Sequence, residues 1–473
     1  MSSVTQCAQN TEPAQSIESA QSAEPAQSYW AEHAWLPHVN GPVVESDVLI
    51  EVAADGRIAS VTPDSGPCPA HAVRLRGLLV PGQANAHSHA FHRALRGTVQ
   101  VGSGTFWTWR DTMYRFAGAL DPDSYLALAT AVYAEMALAG ITSVGEFHYL
   151  HHAPGGARYD DPNAMGEALI EAAARAGIRI TLLDTCYLSS GFGADLTKPQ
   201  LRFGDGDAEA WAERASALAP REHARLGAAI HSVRAVPAEQ LSTIAHWTSM
   251  RKAPLHVHLS EQTAENDACL TAHGVTPTRL LADHGVLGPR TSAVHATHLT
   301  EEDVKLLTDS STVICMCPTT ERDLADGIGP ARRLASGGCP VTLGSDSHAV
   351  IDPFEEARAL ELNERLRART RGHWTAGALL RAGTEDGHAS LGWPEAGRIE
   401  AGALADFTVL ALDSVRTAGP AAHLGAETAV FAATAADVRH VVVGGRRIVV
   451  DGVHQAVTDV PSALRDSIAA LLS

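Results

Sequence analysis

The chain has 473 residues, of which 45% are hydrophobic and 19% charged, enough for two or three domains or for one large α/β domain with an accessory piece. Its apolar runs stop well short of the roughly 20 residues that span a bilayer, which excludes a membrane protein. The net charge of −18, with only three lysines, argues against a nucleic-acid binder. Seven cysteines without framework spacing indicate a reducing compartment.

Residues 1–28 form a low-complexity leader in which Glu12, Glu18 and Glu24 open three copies of a six-residue repeat. Its Ala, Gln, Ser and Pro residues bury too little apolar surface to offset the entropy of ordering, so we predict a disordered segment. It contains no Lys or Arg and no apolar core, which is not typical of a signal or transit peptide. We therefore expect a cytoplasmic protein.

Two β-rich segments lie on either side of a long middle region. In residues 29–80, apolar runs meet at Asp55-Gly56, which is a strong hairpin signal. In residues 391–455, GRIEAGALADFTVLAL and VRHVVVGGRRIVVDGV also resemble hairpins, the second with a turn at Gly444-Gly445. We predict one small β-sandwich domain built from both chain ends, followed by a C-terminal helix over 456–473.

The middle region, residues 81–390, alternates between short apolar runs and helix-like stretches that are apolar at three- to four-residue spacing. Eight such units favour a closed (β/α)8 barrel of the TIM type over a doubly wound sheet. The runs are LLVPGQANAHSHA, ITSVGEFHYL, IRITLLDTCYL, RLGAAIHSV, PLHVHLSE, TSAVHATHL, STVICMCPTT and PVTLGSDSH. Polar residues collect at their carboxyl ends, where barrel active sites are built.

Imidazole and carboxylate groups end four of the eight runs. His87 and His89 end the first, and since alternate residues of a strand project to the same side, both rings can reach one metal ion. The other candidates are His256, His258 and Glu261 on the fifth run, His295 and His298 on the sixth, and Asp346 on the eighth. The alternative is a set of solvated loop histidines with one capping aspartate.

Four motifs resemble the amidohydrolase superfamily of metal-dependent hydrolases: PGQANAHSHA, HVHLSE, VHATH and GSDSH. The superfamily also has a segment after the barrel in which the chain re-enters the β-sandwich, and GRIEAGALADFTVL is similar to that segment. The resemblance implies that His87, His89, His258 and Asp346 bind metal. It also implies that Asp346 accepts a proton from water, that Glu261 is an acid–base residue, and that His295 is a catalytic histidine.

The fourth run indicates how many metal ions to expect. Binuclear members of the superfamily use a carboxylated lysine at the end of strand four, and GAAIHSVR has no lysine. We therefore expect one ion per chain. Three nitrogens and one carboxylate suit zinc, and iron would also fit. His258 and Glu261 form an HxxE pattern after strand five. Mononuclear members of the superfamily with this pattern are largely deaminases that act on C=N bonds.

Four further stretches resemble the formimidoylglutamate deiminase family of histidine degradation: GSGTFWTWRDTMYRF, GEFHYLHH, SSGFG and HSVRAV. That family converts N-formimino-L-glutamate and water into N-formyl-L-glutamate and ammonia. The resemblance implies a small dicarboxylate substrate held by Arg110, in the loop after strand one, and by Tyr149, His231 and Arg234. His92 stands where the family has a glutamine that contacts the formimino end, and a histidine can only partly reproduce that contact.

Several of these residues have simpler interpretations. Arg110 could pair with a nearby acid such as Asp111, and Trp109 and Tyr149 could simply pack. We interpret His151 and His152 as surface loop residues without a role. Cys315 and Cys317 have no further cysteine partner nearby, so we interpret them as alternating barrel residues of strand seven.

Two other functions remain alternatives. A mononuclear deaminase of guanine or a related heterocycle would share the metal site, although a flat base has no need of paired arginines. A catalytically dead barrel acting as a binding scaffold should have lost at least one metal or acid–base residue, and all six are present. We expect a homodimer, because twofold assemblies are the commonest, and neither nucleic-acid nor membrane partners.

Overall fold

The computed structural model describes residues 27–100 and 106–472. The predicted leader lies outside the described residues up to position 26, and residues 27 and 28 already belong to the first strand. Among the described residues, no helix combines the length and the apolar character needed to cross a membrane.

The described residues form sixteen strands in two sheets. In chain order the strands are β1 (Gln27–Leu36), β2 (Val43–Val52), β3 (Ile58–Thr62), β4 (Val73–Pro81), β5 (Gln83–Ser88), β6 (Ile141–His148), β7 (Arg179–Cys186), β8 (Ala224–Ile230), β9 (Leu255–Leu259), β10 (Thr291–His295), β11 (Val313–Met316), β12 (Val341–Leu343), β13 (Phe407–Leu410), β14 (Val438–Val443), β15 (Arg446–Val450) and β16 (Val453–His454).

Most of the α-helices lie between the barrel strands. They are α1 (Phe106–Ala119), α2 (Pro122–Leu138), α3 (Ala164–Ala176), α4 (Ala208–Ser216), α5 (Ala238–Arg251), α6 (Thr263–His273), α7 (Pro277–Asp283), α8 (Glu301–Asp309), α9 (Pro318–Asp323), α10 (Ala331–Ser336), α11 (Pro353–Ala368), α12 (Ala376–Gly383), α13 (Glu385–Ser390), α14 (Gly425–Phe431) and α15 (Val460–Ala470). Short 3-10 turns lie at Ala90–Leu95, Pro154–Gly156, Lys198–Phe203, Ala422–Leu424 and Ala435–Asp437.

The barrel consists of β5 to β12, each hydrogen-bonded in parallel to the next. Every residue of β6 and β7 is buried, as expected for parallel strands covered on both faces. Each of the eight predicted runs contains one barrel strand, which confirms the predicted (β/α)8 architecture. The helix α3 ends at Gly177, whose φ of 76° lies in the left-handed region that favours glycine.

The barrel closes where β12 meets β5. The carbonyl of His87 accepts hydrogen bonds from the backbone N–H groups of Ser345 (3.1 Å) and Asp346 (3.0 Å), and Ser88 pairs with Asp346 in a parallel bridge. Gly344 permits this approach, because a Cβ there would lie 2.7 Å from the Cβ of His87. The two segments that close the barrel therefore carry His87, His89 and Asp346, three of the four residues predicted to bind metal.

The second sheet is mixed and takes strands from both chain ends, in the order β16-β15-β14-β13-β4-β1-β2-β3. The hairpins predicted at Asp55-Gly56 and Gly444-Gly445 are present as β2–β3 and β14–β15. The hairpin predicted within GRIEAGALADFTVLAL is wrong: the segment supplies only β13, which pairs with β4 and β14. Asp406, just before β13, accepts two hydrogen bonds from the buried Arg179 of β7 and so joins the sheet to the barrel.

Candidate active site

A cavity opens at the carboxyl ends of the barrel strands. Ten of the predicted site residues line it: His89, His92, Arg110, Tyr149, His231, Arg234, His258, Glu261, His295 and Asp346. His87, the remaining one, is fully buried and lies against His89 and His258 at ring-centroid distances of 4.8 and 5.0 Å. The predicted residues thus meet in one place.

Three imidazoles and a carboxylate converge at the floor of this cavity. The Nε2 atoms of His87 and His89 lie 3.3 and 3.2 Å from Oδ1 of Asp346, and Nε2 of His258 lies 3.1 Å from Nε2 of His87. One potential ligand atom from each of the four residues lies within 4.8 Å of all the others.

The tautomers of two of these histidines follow from their outer partners. Nδ1 of His89 lies 3.0 Å from the carbonyl of Phe147, and Nδ1 of His258 lies 3.0 Å from the carbonyl of His231. A carbonyl only accepts, so each Nδ1 carries the proton, and a neutral ring then presents the Nε2 lone pair to the cluster.

The electrostatics of the cluster fit a divalent metal. Burial lowers the pKa of His87 to about 4 and holds the pKa of His258 well below its usual value, so both rings are neutral at pH 7. Lone pairs that face one another and a carboxylate repel unless a cation lies between them. Neutral imidazoles and a carboxylate are also the ligands that catalytic divalent metals take.

A second group, His148, His151 and Asp184, is also close enough to share an ion. However, Asp184 accepts hydrogen bonds from two guanidinium nitrogens of Arg214 (2.8 and 2.9 Å) and from the indole of Trp211 (2.8 Å). A carboxylate already satisfied by an adjacent cation is a poor metal ligand, so we assign no metal to this group.

His295 lies between three carboxylates. Its Nε2 is 3.9 Å from Glu261 and 3.7 Å from Asp346, and its Nδ1 is 3.4 Å from Glu321. Burial would lower the pKa of His295, but these carboxylates raise it well above its usual value. Burial, assisted by the charge of Asp346, raises the pKa of Glu261 although His295 opposes the shift. A raised pKa lets a carboxyl group take up a proton more readily, which suits an acid–base role.

The backbone of two of these residues, His295 and Asp346, has a positive φ angle. His295 has a φ of 69° and Asp346 a φ of 40°, in the left-handed region that non-glycine residues rarely adopt. Such conformations cost about 1–3 kcal/mol each and concentrate at functional sites.

The outer part of the cavity carries the two predicted arginines. Arg110 lies on α1 and not in a loop, because the segment after β5 contains this additional helix; its Cζ atom is 5.7 Å from the centroid of the Tyr114 ring. Nε of Arg234 donates to Oε2 of Glu265 at 3.2 Å. Tyr149 directly follows β6, and its hydroxyl lies 3.1 Å from Nε2 of His92.

Six cavity residues were not predicted as site residues: Trp109, Met113, Tyr114, Tyr187, Phe203 and Leu324. Tyr187 directly follows β7, the position that Tyr149 occupies after β6, and this strand-end position was the available signal. Glu321, the partner of His295, carried no comparable signal because it lies on the short helix α9.

One prediction about histidines is wrong and another needs restriction. His151 and His152 are not surface residues: both are buried, and they bond to the carbonyl of Thr185 (2.8 Å) and to Asp205 (3.0 Å). His256 is fully buried and His298 half-buried, and neither is among the residues lining the described cavity. Cys315 and Cys317 are buried in a small cluster of the barrel interior, with Ala86 and Val294.

A (β/α)8 barrel with three histidines and an aspartate at its C-terminal mouth defines a metal-dependent hydrolase. The chain belongs to the amidohydrolase family, whose model matches residues 78–448. It is 37% identical to the formimidoylglutamate deiminase of Pseudomonas aeruginosa, over 86% of this chain and 92% of that protein.

Two further comparisons agree with this family. The chain is 30% identical to the 8-oxoguanine deaminase of Pseudomonas aeruginosa, over 88% of this chain and 91% of that protein. Its fold is similar to the crystal structure of an amidohydrolase from Brucella melitensis, with a TM-score of 0.86 and 32% identity, covering 94% of this chain and all of that one.

Proposed function

We propose that the protein hydrolyses N-formimino-L-glutamate to N-formyl-L-glutamate and ammonia. The observation that carries the proposal is the pairing, in one cavity, of a His/Asp metal cluster with Arg110 and Arg234. The cluster suits attack of water on a C=N bond, and guanidinium groups suit the two carboxylates of the glutamate portion. The 37% identity to a formimidoylglutamate deiminase supports the same substrate.

In this proposal His87, His89, His258 and Asp346 hold one zinc ion, with iron as the other metal that suits these ligands. When bound, the metal activates water at neutral pH. Asp346 accepts the proton of the attacking water, and Glu261 carries a proton to the departing nitrogen, since ammonia leaves readily only when that nitrogen is protonated. His295 donates a hydrogen bond to the oxygen that develops negative charge.

The substrate's other end is assigned to Arg110, Tyr149, His231 and Arg234. Arg234 is half-buried and lines the cavity, so its charge attracts a carboxylate more strongly there than it would in bulk water. His92 faces the metal end of the cavity, 4.5 Å from His89 between ring centroids, and we assign it to the formimino group. A role in histidine catabolism, a homodimer and a cytoplasmic location stay predictions from the sequence.

A heterocycle deaminase is the second candidate. Trp109, Tyr114, Tyr149, Tyr187 and Phe203 line the cavity, and aromatic walls suit a flat base; the similarity to an 8-oxoguanine deaminase points the same way. Ammonia release from formimino-glutamate, guanine and 8-oxoguanine, measured side by side, decides between the two. Turnover of the bases alone would contradict our proposal.

Metal analysis should return about one equivalent of zinc per chain. The reason is that four ligands surround one point, and that β8 and the residues directly after it supply no lysine for a second ion. Metal–ligand distances near 2.0–2.2 Å are expected for the bound ion. Two tightly held ions per chain, measured by plasma emission after dialysis, would contradict the single-ion site.

Arg234→Ala should lower kcat/KM for formimino-glutamate roughly ten- to a hundred-fold, because a charge-assisted hydrogen bond contributes about 1.5–3 kcal/mol. Arg234→Lys should not restore activity, since an ammonium cannot reproduce the planar guanidinium fork. Metal content should not change. Arg279→Ala, which alters an exposed pair with Asp283, is the matched control. An Arg234→Ala variant with unchanged kcat/KM would assign the cavity to another substrate.

A further inference from the structure

A glutamine and two tyrosines form a hydrogen-bonded group at the outer wall of the cavity. Tyr114 lies on α1, Tyr187 directly follows β7, and Gln200 lies in the 3-10 turn Lys198–Phe203. Both tyrosines line the cavity. Nε2 of Gln200 lies 3.0 Å from the hydroxyl of Tyr114 and 2.8 Å from that of Tyr187.

The orientation of the Gln200 amide is determined by its other end. The backbone N–H of Thr197 lies 2.9 Å from Oε1 of Gln200, and the hydroxyl of Thr197 lies 2.5 Å from the same atom. A backbone N–H can only donate, so the atom facing it must be the oxygen and not the nitrogen. The amide cannot be flipped without breaking this bond, and Gln200 is buried.

This orientation sets the polarity of the two hydroxyls. An amide NH₂ has two hydrogens, and each hydroxyl of the pair accepts one of them. The hydroxyl hydrogens are then available for other acceptors. If one hydroxyl donates to the other, one hydroxyl hydrogen of the pair is still free to be donated to a ligand. Burial raises the pKa of Tyr114 above its usual range, so its hydroxyl stays protonated.

Positive charge lies close to these donors. Arg110 lies over the Tyr114 ring, and Arg234 lines the same cavity. The hydroxyl hydrogens and the two guanidinium groups together offer hydrogen-bond donors and positive charge. This combination favours binding of a carboxylate. It disfavours the edge of a neutral heterocycle, because that edge carries N–H donors of its own.

We propose that Tyr114 and Tyr187 form a specificity-determining pair that donates a hydrogen bond to a carboxylate of the substrate, and that Gln200 is the positioning residue that leaves a hydroxyl hydrogen of this pair free to be donated. The inference rests on the proposed function, which it deepens by assigning what recognises the glutamate portion besides the arginines. It predicts that these three residues affect how tightly the substrate binds and do not affect the rate of the chemical step.

The test uses glutarate, a dicarboxylate without the reacting head group, titrated calorimetrically into the metal-loaded protein. Tyr187→Phe should weaken glutarate binding roughly ten-fold or more, the usual effect of removing a hydrogen bond to a charged group. Gln200→Glu should weaken it at least as much. This isosteric change keeps an acceptor for Thr197, but it makes the tyrosines donate to the new carboxylate and adds a negative charge.

A mutant cycle separates positioning from packing. Gln200→Met should weaken glutarate binding in the parent but have little further effect when Tyr114→Phe and Tyr187→Phe are already present. Tyr159→Phe is the matched control, because Tyr159 is not among the described residues that line the cavity. With formimino-glutamate, the Tyr187 and Gln200 variants should raise KM and leave kcat and metal content near the parent values.

The outcomes distinguish the inference from the proposed function. Unchanged glutarate binding in both Tyr187→Phe and Gln200→Met overturns the inference, even if the parent hydrolyses formimino-glutamate. If the parent fails on formimino-glutamate yet binds glutarate in a Tyr187-dependent manner, the proposed function fails and the inference stands. If the parent binds neither glutarate nor N-formyl-L-glutamate, the inference is overturned. Should Gln200→Glu not fold, Tyr187→Phe and Gln200→Met still decide.

Discussion

Replacing Glu261 by glutamine is expected to lower kcat about 10²–10⁴-fold while leaving the metal content unchanged, because general acid–base groups contribute that much to catalysis. Glu261 lies 3.9 Å from His295 and lines the cavity beside Asp346, but it is outside the group of four candidate metal ligands. The glutamine side chain keeps the shape of glutamate and cannot shuttle a proton. Turnover and metal analysis of the same preparation provide the measurement.

A nearly active Glu261→Gln protein would show that another group moves the proton. Glu265→Gln is a useful comparison, because Glu265 is also a buried carboxyl group on this side of the barrel, with a pKa raised by burial. Its partner is Arg234, so its replacement should alter KM for the substrate more than kcat.

His258→Ala is expected to abolish both metal binding and activity. Removing the His258 imidazole takes away one of the four groups proposed to hold the ion, which weakens its binding, and the proposed chemistry depends on the ion. His298→Ala is the matched control: His298 follows a neighbouring strand, but the cavity is lined by His295 instead. We expect this control to retain metal and turnover. A His258→Ala protein that keeps one equivalent of zinc would exclude His258 as a ligand.

Much of the fold could be predicted because short barrel strands leave a strong pattern. Each is a buried apolar run that ends in polar residues at the active-site face, and helix-like sequence separates one run from the next. The hairpin prediction failed for GRIEAGALADFTVLAL because the first half of this segment is apolar enough to be taken for a strand. That half forms turns between Trp393 and Asp406 instead, and a single bridge joins Leu404 to Arg57.

The convergence of the residues assigned to metal binding and acid–base chemistry was predictable because each lies within a short motif at a strand end. The rest of the wall was not predictable in the same way. Gln200 and Phe203 come from an irregular segment far from any strand pattern, and their position depends on how Arg202 binds the carbonyls of Ala117 and Leu120 at the end of α1. Contacts between distant segments of this kind leave no local periodicity.

The closure of the barrel at His87 and Asp346 bears on the order in which the molecule is assembled. His87 belongs to the first barrel strand and Asp346 shortly follows the last one, β12. The chain between them must therefore be arranged before they can meet, at a cost in loop-closure entropy. A ligand set divided in this way is absent from the unfolded chain and from any half-built barrel. We therefore expect ion capture to be a late event, because an ion that binds only the completed site favours the closed barrel over its open forms.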